Sequence, residues 1–275
     1  MSINPLELKT AAECCLAPDS GLNLRVIWPQ SLPSTHEHMR ELLKQAPSHD
    51  TLWVVGTDAQ TKGVGQYQRT WSSTPGDLTL SFALPLSRVH LPGLSIRFAL
   101  KLAEELTASA LRVKWPNDLV YVQGCAPGGS ALQKAGGVLT ERAGDYVLLS
   151  IGLNLTSKPK VSFAKLDTGQ TPFELALLCL CALVEESTNS LVPSRFRPFD
   201  ALYDQHIELK DPFTDALISA GTAKGVASDG ALLLELSKGH NRCASNPSPA
   251  ASSPTKPKHL KACYTGRVHL IHSSV

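Results

Sequence analysis

The chain has 275 residues, 43% hydrophobic and 18% charged, with a formal net charge of +2 at pH 7. That length allows one large domain, or one plus a small appendage, and the composition is globular rather than disordered. So small a charge gives no argument for nucleic acid or an anionic membrane as partner, and no apolar run of about 18 residues is present to span a bilayer. The segment Met1–Leu8 lacks the charged-then-apolar order of a signal peptide. Seven cysteines (Cys14, Cys15, Cys125, Cys179, Cys181, Cys243 and Cys263) show neither a CxxC pair nor a zinc spacing. Their odd number and scatter suit reduced thiols, and the expectation is a soluble, cytoplasmic protein.

Residues 1–20 show little periodicity and read as a loose or peripheral N-terminal arm. Leu22–Trp28 alternates like a half-buried strand until Pro29 and Pro33 break it. Ser34-Thr35 then offers an N-cap for a helix over His36–Gln45, with Met39, Leu42 and Leu43 on one face. Thr51–Thr57 reads as a buried strand, Asp58–Arg69 as a polar, glycine-containing loop, and Leu78–Leu84 as another strand. Pro92–Thr107 has apolar residues at helical spacing, with a proline near the start. A strand through Val113 leads to Lys114-Trp115-Pro116-Asn117-Asp118, and Leu119–Val122 follows. Gly124–Gln133 is a Gly/Pro/Ser loop, and Ala135–Glu141 with Tyr146–Ile151 forms a hairpin. Thr171-Pro172-Phe173-Glu174 is a capping box that starts an apolar helix to about Glu186. Cys179 and Cys181 in that helix read as core filler. A second helix is expected over Ser194–Gln205. Beyond His206 the pattern turns to short strands at Gly221–Val226, Ala231–Leu236 and Tyr264–Ile271, with Asp229-Gly230 as a hairpin turn. Ser237–Lys261, rich in Ser, Pro, Ala and Lys, buries too little to offset its ordering entropy and reads as a disordered insert.

The Lys114–Asp118 stretch is where chemistry concentrates. Pro116 cannot donate to a sheet ladder, so the strand turns there and gathers a cation, an amide and a carboxylate about one small volume. Those residue types suit a phosphate, a divalent metal and a nucleophile; a solvated turn is the plainer explanation. Four other segments join it: Ser34-Thr35, Gln60-Thr61-Lys62-Gly63-Val64-Gly65 running to Arg69 and Trp71, Lys134-Ala135-Gly136-Gly137-Val138-Leu139-Thr140-Glu141, and Gly152-Leu153-Asn154-Leu155. In this order and spacing they resemble the biotin protein ligases (holocarboxylase synthetases) over roughly residues 22–275. The pairing of Lys-Trp-Pro-Asn-Asp with Lys-x-Gly-Gly-x-Leu-x-Glu is the specific part.

The resemblance implies an α/β or α+β fold. A mixed β-sheet with helices, of the class II aminoacyl-tRNA-synthetase-like type, would occupy residues 21–205. A small SH3-like β-barrel would follow over 206–275, with the insert at 237–261. It also implies monofunctional members of the family, because some 20 residues before Leu22 do not hold a helix-turn-helix DNA-binding domain. The implied activity is ATP- and magnesium-dependent formation of biotinyl-5′-adenylate and transfer of biotin to a lysine of a biotin carboxyl carrier domain. A homodimer through a sheet edge is left open.

By the same resemblance Ser34, Thr35, Gln60, Gly63, Gly65 and Lys134 would hold biotin. Arg69, Trp71, Lys114, Asn117, Asp118 and Asn154 would hold the nucleotide, with Asp118 as a magnesium ligand. Lys134, Lys114, Asp118 and Arg69 would carry the catalysis. The residue types fit: the ureido ring of biotin offers two N–H donors and a carbonyl to hydroxyls and an amide, and Lys134 neutralises a carboxylate approaching a phosphate. Each has a duller reading: Ser34 as a helix cap, Trp71 as a core aromatic, Asn154 as a turn residue and Lys134 as a solvated strand end. His36 sits where its helix begins, and none of the nine histidines has metal spacing.

The chain departs from the resemblance at one place. Most relatives carry two further arginines in the loop where Val64 and Gln66 stand, so phosphate contact here falls to Arg69, Lys62, Lys114 or backbone N–H groups, which implies a weaker hold on the adenylate. Three competing functions fit the same fold less well or less fully. Lipoyl or octanoyl transferases and ligases carry an Arg-x-Thr-Gly-Gly signature that this chain lacks. A biotin-sensing module would need the DNA-binding domain for which there is no room before Leu22, and a catalytically weakened homologue would follow from the missing arginines.

Overall fold

The computed structural model describes residues 2–16, 21–45, 50–106, 110–122, 132–157, 162–236 and 260–270. The larger sheet has seven strands: β1 (Asn23–Ile27), β2 (Thr51–Thr57), β3 (Leu78–Pro85), β4 (Leu111–Lys114), β5 (Asp118–Val122), β6 (Leu132–Ala143) and β7 (Tyr146–Leu153). Their spatial order is β1-β2-β3-β7-β6-β5-β4. β1 and β2 run parallel and every other neighbouring pair is antiparallel, so the sheet is mixed.

Period-two alternation along β3 and β7 sorts their side chains into two environments. Leu78, Leu80, Phe82 and Leu84, with Val147, Leu149, Ile151 and Leu153, enter the main core. Helices α3 (Leu94–Glu105) and α4 (Pro172–Ser187) complete that core. The Thr171–Glu174 capping box and Pro172 start α4 as the sequence predicts. On the opposite face Ala83, Tyr146 and Leu148 pack under α2 (Thr35–Lys44) through Met39. Farther along these strands, the positions in the same alternation are Thr79, Ser81, Ser150 and Gly152. That polar stretch, beyond the apolar cover of α2, is where the candidate site lies.

Four expectations need correction. The loose arm holds α1 (Pro5–Glu13), capped by Asn4, whose side chain accepts from Leu6 N at 2.9 Å. Leu8 and Ala12, one turn apart, are fully buried in the main core, a pair too short to raise a periodic signal. Not every cysteine is a thiol, because Cys15 and Cys181, 166 residues apart, form a disulfide between the end of α1 and α4. Cys179 does fill the core, and burial pushes its thiol up to about 12. The helix expected over Ser194–Gln205 is only α5 (Pro193–Phe196) and one 3₁₀ turn, because Pro198 has no N–H to continue it.

The fourth correction concerns the C-terminal strands. They are β8 (His206–Lys210), β9 (Leu217–Val226), β10 (Leu232–Leu236), β11 (Leu260–Cys263) and β12 (Arg267–Leu270), in the antiparallel order β11-β10-β9-β8-β12. Leu260 and Lys261, assigned to the insert by sequence, belong to β11. The insert's residues 237–259 lie outside the described residues, as do 124–131 of the Gly/Pro/Ser loop and Cys125 and Cys243. No helix among the described residues is long and apolar enough to cross a membrane.

The two sheets are tied close to the Lys114–Asp118 turn. Ala201 N donates to Val113 O at 3.0 Å, and Asp200 bridges Val113 in parallel. Trp115 Nε1 donates to Gly230 O, in the hairpin turn of the second sheet, at 2.9 Å. Asp200 Oδ1 accepts from Leu202 N at 2.8 Å, while Oδ2 is buried without a partner among the described residues. Burial raises the Asp200 carboxyl from 3.8 to about 6. A carboxyl raised on folding contributes its stability below the unfolded value and loses it as pH rises through the folded one. The loss is about 2 kcal/mol between pH 4 and pH 7. Denaturant titrations across that range are expected to show this decline in the wild type, and a flatter profile in Asp200→Asn.

Candidate active site

Where α2 ends its cover, a cleft of about 460 Å³ opens over β3, β7 and β6, within the size range of small-molecule sites. Its inner end is a chain of hydrogen bonds, buried at its centre and half-buried at its two ends. Thr35 N donates to Gln60 Oε1 at 2.7 Å, and the Thr35 hydroxyl donates to the same oxygen at 3.1 Å. Ser81 Oγ donates to Thr35 Oγ1 at 2.9 Å and lies 2.7 Å from Ser150 Oγ, which lies 2.8 Å from His36 Nδ1. His36 Nε2 meets Glu141 Oε2 at 3.0 Å, and Arg40 Nε reaches Glu141 Oε1 at 3.2 Å.

One backbone amide sets the direction of this chain. Thr35 N–H requires an acceptor, so the Gln60 oxygen faces it and the Thr35 hydroxyl must donate to that oxygen too. Ser81 then donates to Thr35, Ser150 to Ser81, and His36 Nδ1–H to Ser150. His36 Nε2 then faces the Glu141 carboxylate.

Two residues along β7 from Ser150 is Gly152, about 7 Å of strand. Its register partner is Gly137 on β6, which pairs with Asp118 on β5. Here Lys134 Nζ stands 2.5 Å from Asp118 Oδ1 and 5.1 Å from the Trp71 ring centroid. The Trp71 ring lies on Gly152, where a Cβ would meet Cε2 at 2.4 Å, and its buried Nε1–H has no partner among the described residues. The backbone of Lys134 is fixed on both sides, its N–H donating to Ser162 O at 2.8 Å and its carbonyl accepting from Ala164 N at 3.0 Å. Lys114 pairs with Asp118 across the β4–β5 turn. Burial pushes the Lys114 ammonium below the usual lysine range; Asp118 opposes that shift, and the positive charges of Lys134 and Arg267 add to it.

The chain is similar to known proteins in sequence and in fold. Residues 28–155 match the biotin/lipoate A/B protein ligase family. That segment is similar to the ligase domains of the family. It is 31% identical over 159 residues to a human biotin–protein ligase, a match covering 52% of this chain and 21% of the human protein. It is 25% identical over 262 residues to a Salmonella typhimurium bifunctional ligase/repressor, covering 84% of this chain and 75% of that one. A Helicobacter pylori biotin acetyl coenzyme A carboxylase synthetase structure with bound biotinylated ATP is 26% identical. It has a TM-score of 0.57 and covers 78% of this chain and 98% of its own. An Aquifex aeolicus biotin protein ligase structure shares the fold, with a TM-score of 0.65 at 23% identity over 90% of this chain and 99% of that one.

Nine of the twelve residues singled out by sequence line the cleft: Thr35, Gln60, Gly65, Arg69, Trp71, Lys114, Asn117, Asp118 and Lys134. Three do not. Ser34 is the N-cap of α2, accepting from Glu37 N at 3.4 Å. Gly63 lies against the Trp71 carbonyl. Asn154 is buried, and its Nδ2 donates to Lys134 O at 2.9 Å, which makes it a clamp on the strand carrying Lys134. Asn117 lines the cleft but also donates to Val138 O and accepts from Val138 N. Arg69 is exposed, with Nη2 3.4 Å from Pro212 O in the second sheet's first loop.

Sequence reasoning did not select Ser81, Ser150 or Glu141, and gave His36 no role. Their signal was a hydroxyl interrupting each of two apolar strands, Leu78–Pro85 and Tyr146–Leu153. No group of three His, Cys, Asp or Glu side chains among the described residues is placed to hold a metal. Asp118, the expected magnesium ligand, faces the Lys134 ammonium, so the protein side chains alone do not make a metal site. Gly152→Ala is expected to displace the Trp71 indole from Lys134, read as a changed near-ultraviolet circular dichroism signal and a loss of activity with the fold retained.

Proposed function

We propose that this chain is an ATP-dependent biotin protein ligase. One observation carries the reading: a buried polar chain at one end of the cleft and a cationic cluster at the other, with Lys134 and Trp71 between them along the same strands. A ureido ring, with its two N–H donors and one carbonyl, suits the Thr35–Gln60–Ser81–Ser150 end, where an alkyl chain finds no matching partner. The acid's carboxylate then points along β7 toward Lys134.

In the first step a carboxylate oxygen of biotin attacks the α-phosphorus of ATP. The α–β phosphoanhydride bond breaks, pyrophosphate leaves with the bonding pair, and biotinyl-5′-adenylate forms. Lys134, held by its backbone and by Trp71, neutralises the two anions as they approach. In the second step the amine of a carrier lysine attacks the acyl carbon, AMP leaves with the bonding pair, and Asp118 accepts the amine proton. Magnesium would enter with the nucleotide phosphates, which supply ligands that the protein side chains do not.

The test is mass spectrometry of a purified biotin carboxyl carrier domain incubated with the chain, biotin and MgATP. One biotin on one lysine is expected. Lys134→Ala is expected to slow adenylate formation, read as biotin-dependent ATP–pyrophosphate exchange, by about 10²- to 10³-fold. Exchange that runs with lipoate or octanoate but not with biotin would move the chain to the other branch of the family.

A further inference from the structure

The cleft is not built from the ligase sheet alone. Gly266, Arg267 and Val268, at the start of β12 in the C-terminal sheet, form part of its wall. We propose that Arg267 is a phosphate-binding residue of the site, so that the C-terminal sheet supplies part of the nucleotide's electrostatic cradle. The inference rests on the ligase reading above and adds to it a residue from outside the family-matched segment.

The position of Arg267 is fixed from three sides. β12 pairs with β8 in a register that sets Arg267 against Lys210. Gly266, at φ +135, lets the chain enter β12 against Leu209, where a Cβ would meet Cγ at 2.6 Å. The guanidinium is oriented by an ion pair with Asp215 and by Nε donating to His269 Nε2 at 2.9 Å. That second bond needs an unprotonated ring nitrogen, and burial, then Arg267 and Lys210, hold His269 below the usual histidine range. A guanidinium has five N–H donors, more than these two contacts use.

Its charge is felt where the chemistry is placed, because Arg267 and Lys134 both act on Lys114. Three cations thus converge on a region whose paired carboxylate is Asp118, an arrangement suited to a ligand with several negative charges. The loop from Gly63 to Trp71 has a single arginine, and that arginine reaches outward to Pro212. The same loop leans on the C-terminal sheet, with Tyr67 edge-on to Phe213 at 5.4 Å and its hydroxyl 3.4 Å from Thr265 Oγ1. Loop and arginine therefore meet the cleft from one side.

Calorimetric titration of the full chain with MgATP and, separately, with biotin tests the assignment on wild type, Arg267→Ala, Arg267→Lys and Asp215→Asn. Arg267→Ala is expected to weaken MgATP about 10- to 100-fold and leave the biotin Kd within about twofold. Arg267→Lys should recover part of the loss, because it keeps the charge without the fork. Asp215→Asn, which removes a competing partner, should bind MgATP at least as tightly as the wild type. If Arg267→Ala lowers only the melting temperature and MgATP binds as before, Arg267 is a strand-end ion pair and the assignment is wrong. A wild type that binds biotin but no MgATP overturns the ligase reading itself, and this inference with it.

Discussion

Lys114 and Lys134 line the same cleft, Asp118 pairs with Lys134 and its charge acts on Lys114, and the positive charge of Arg267 acts on Lys114 as well. Like charges in a partly buried site repel, and burial alone already disfavours the Lys114 ammonium. The arrangement holds because the β4–β5 turn places Asp118 opposite Lys114 while β6 delivers Lys134 to the same carboxylate. Much of the surrounding structure serves to hold that geometry: Asn117 ties the turn to β6, Asn154 clamps the Lys134 carbonyl, and Trp71 lies flat over Gly152 beside the ammonium. A multiply charged anion entering there meets donors that are already oriented, which is the condition for electrostatic help without reorganisation.

The second constraint is the unequal use of one sheet face. α2 covers half of it with apolar side chains and leaves the other half to hydroxyls and a glycine. Ser81 and Ser150, placed in otherwise apolar strands, are acceptable there because each is hydrogen-bonded within a chain that runs from Gln60 to Glu141. Replacing any member leaves its neighbours short of a partner, so the polar floor is specified as a unit. Its ordering by a single backbone amide gives the inner end of the cleft a fixed pattern of donors and acceptors.

The small sheet reaches the same place by two routes, the Trp115–Gly230 hydrogen bond and the wall formed by Gly266, Arg267 and Val268, and the segment leading into it adds the Val113–Asp200 bridge. Each route ends within a few residues of the Lys114–Asp118 turn. The C-terminal strands are therefore part of the site's framework, and the Gly63–Trp71 loop rests between the two sheets.

Much of this was legible in the sequence. Alternation and helical spacing located most strands and α2, α3 and α4, because those elements bury one repeating face. The Lys-Trp-Pro-Asn-Asp and Lys-x-Gly-Gly motifs pointed to residues that do line the cleft, since local turn chemistry decides where Pro116 and the glycines go. What the sequence could not carry was long-range pairing. The disulfide between Cys15 and Cys181, the burial of α1, the diversion of Asn154 to the Lys134 backbone and the hydrogen-bonded run through His36, Ser81 and Ser150 all join residues far apart along the chain. Arg267 is the plainest case: in sequence it is an arginine in a short exposed-looking strand, and only the docking of one sheet against the other sets its charge beside Lys114. Local periodicity fixes which face a side chain takes, whereas the partner waiting on that face is decided by how the layers pack.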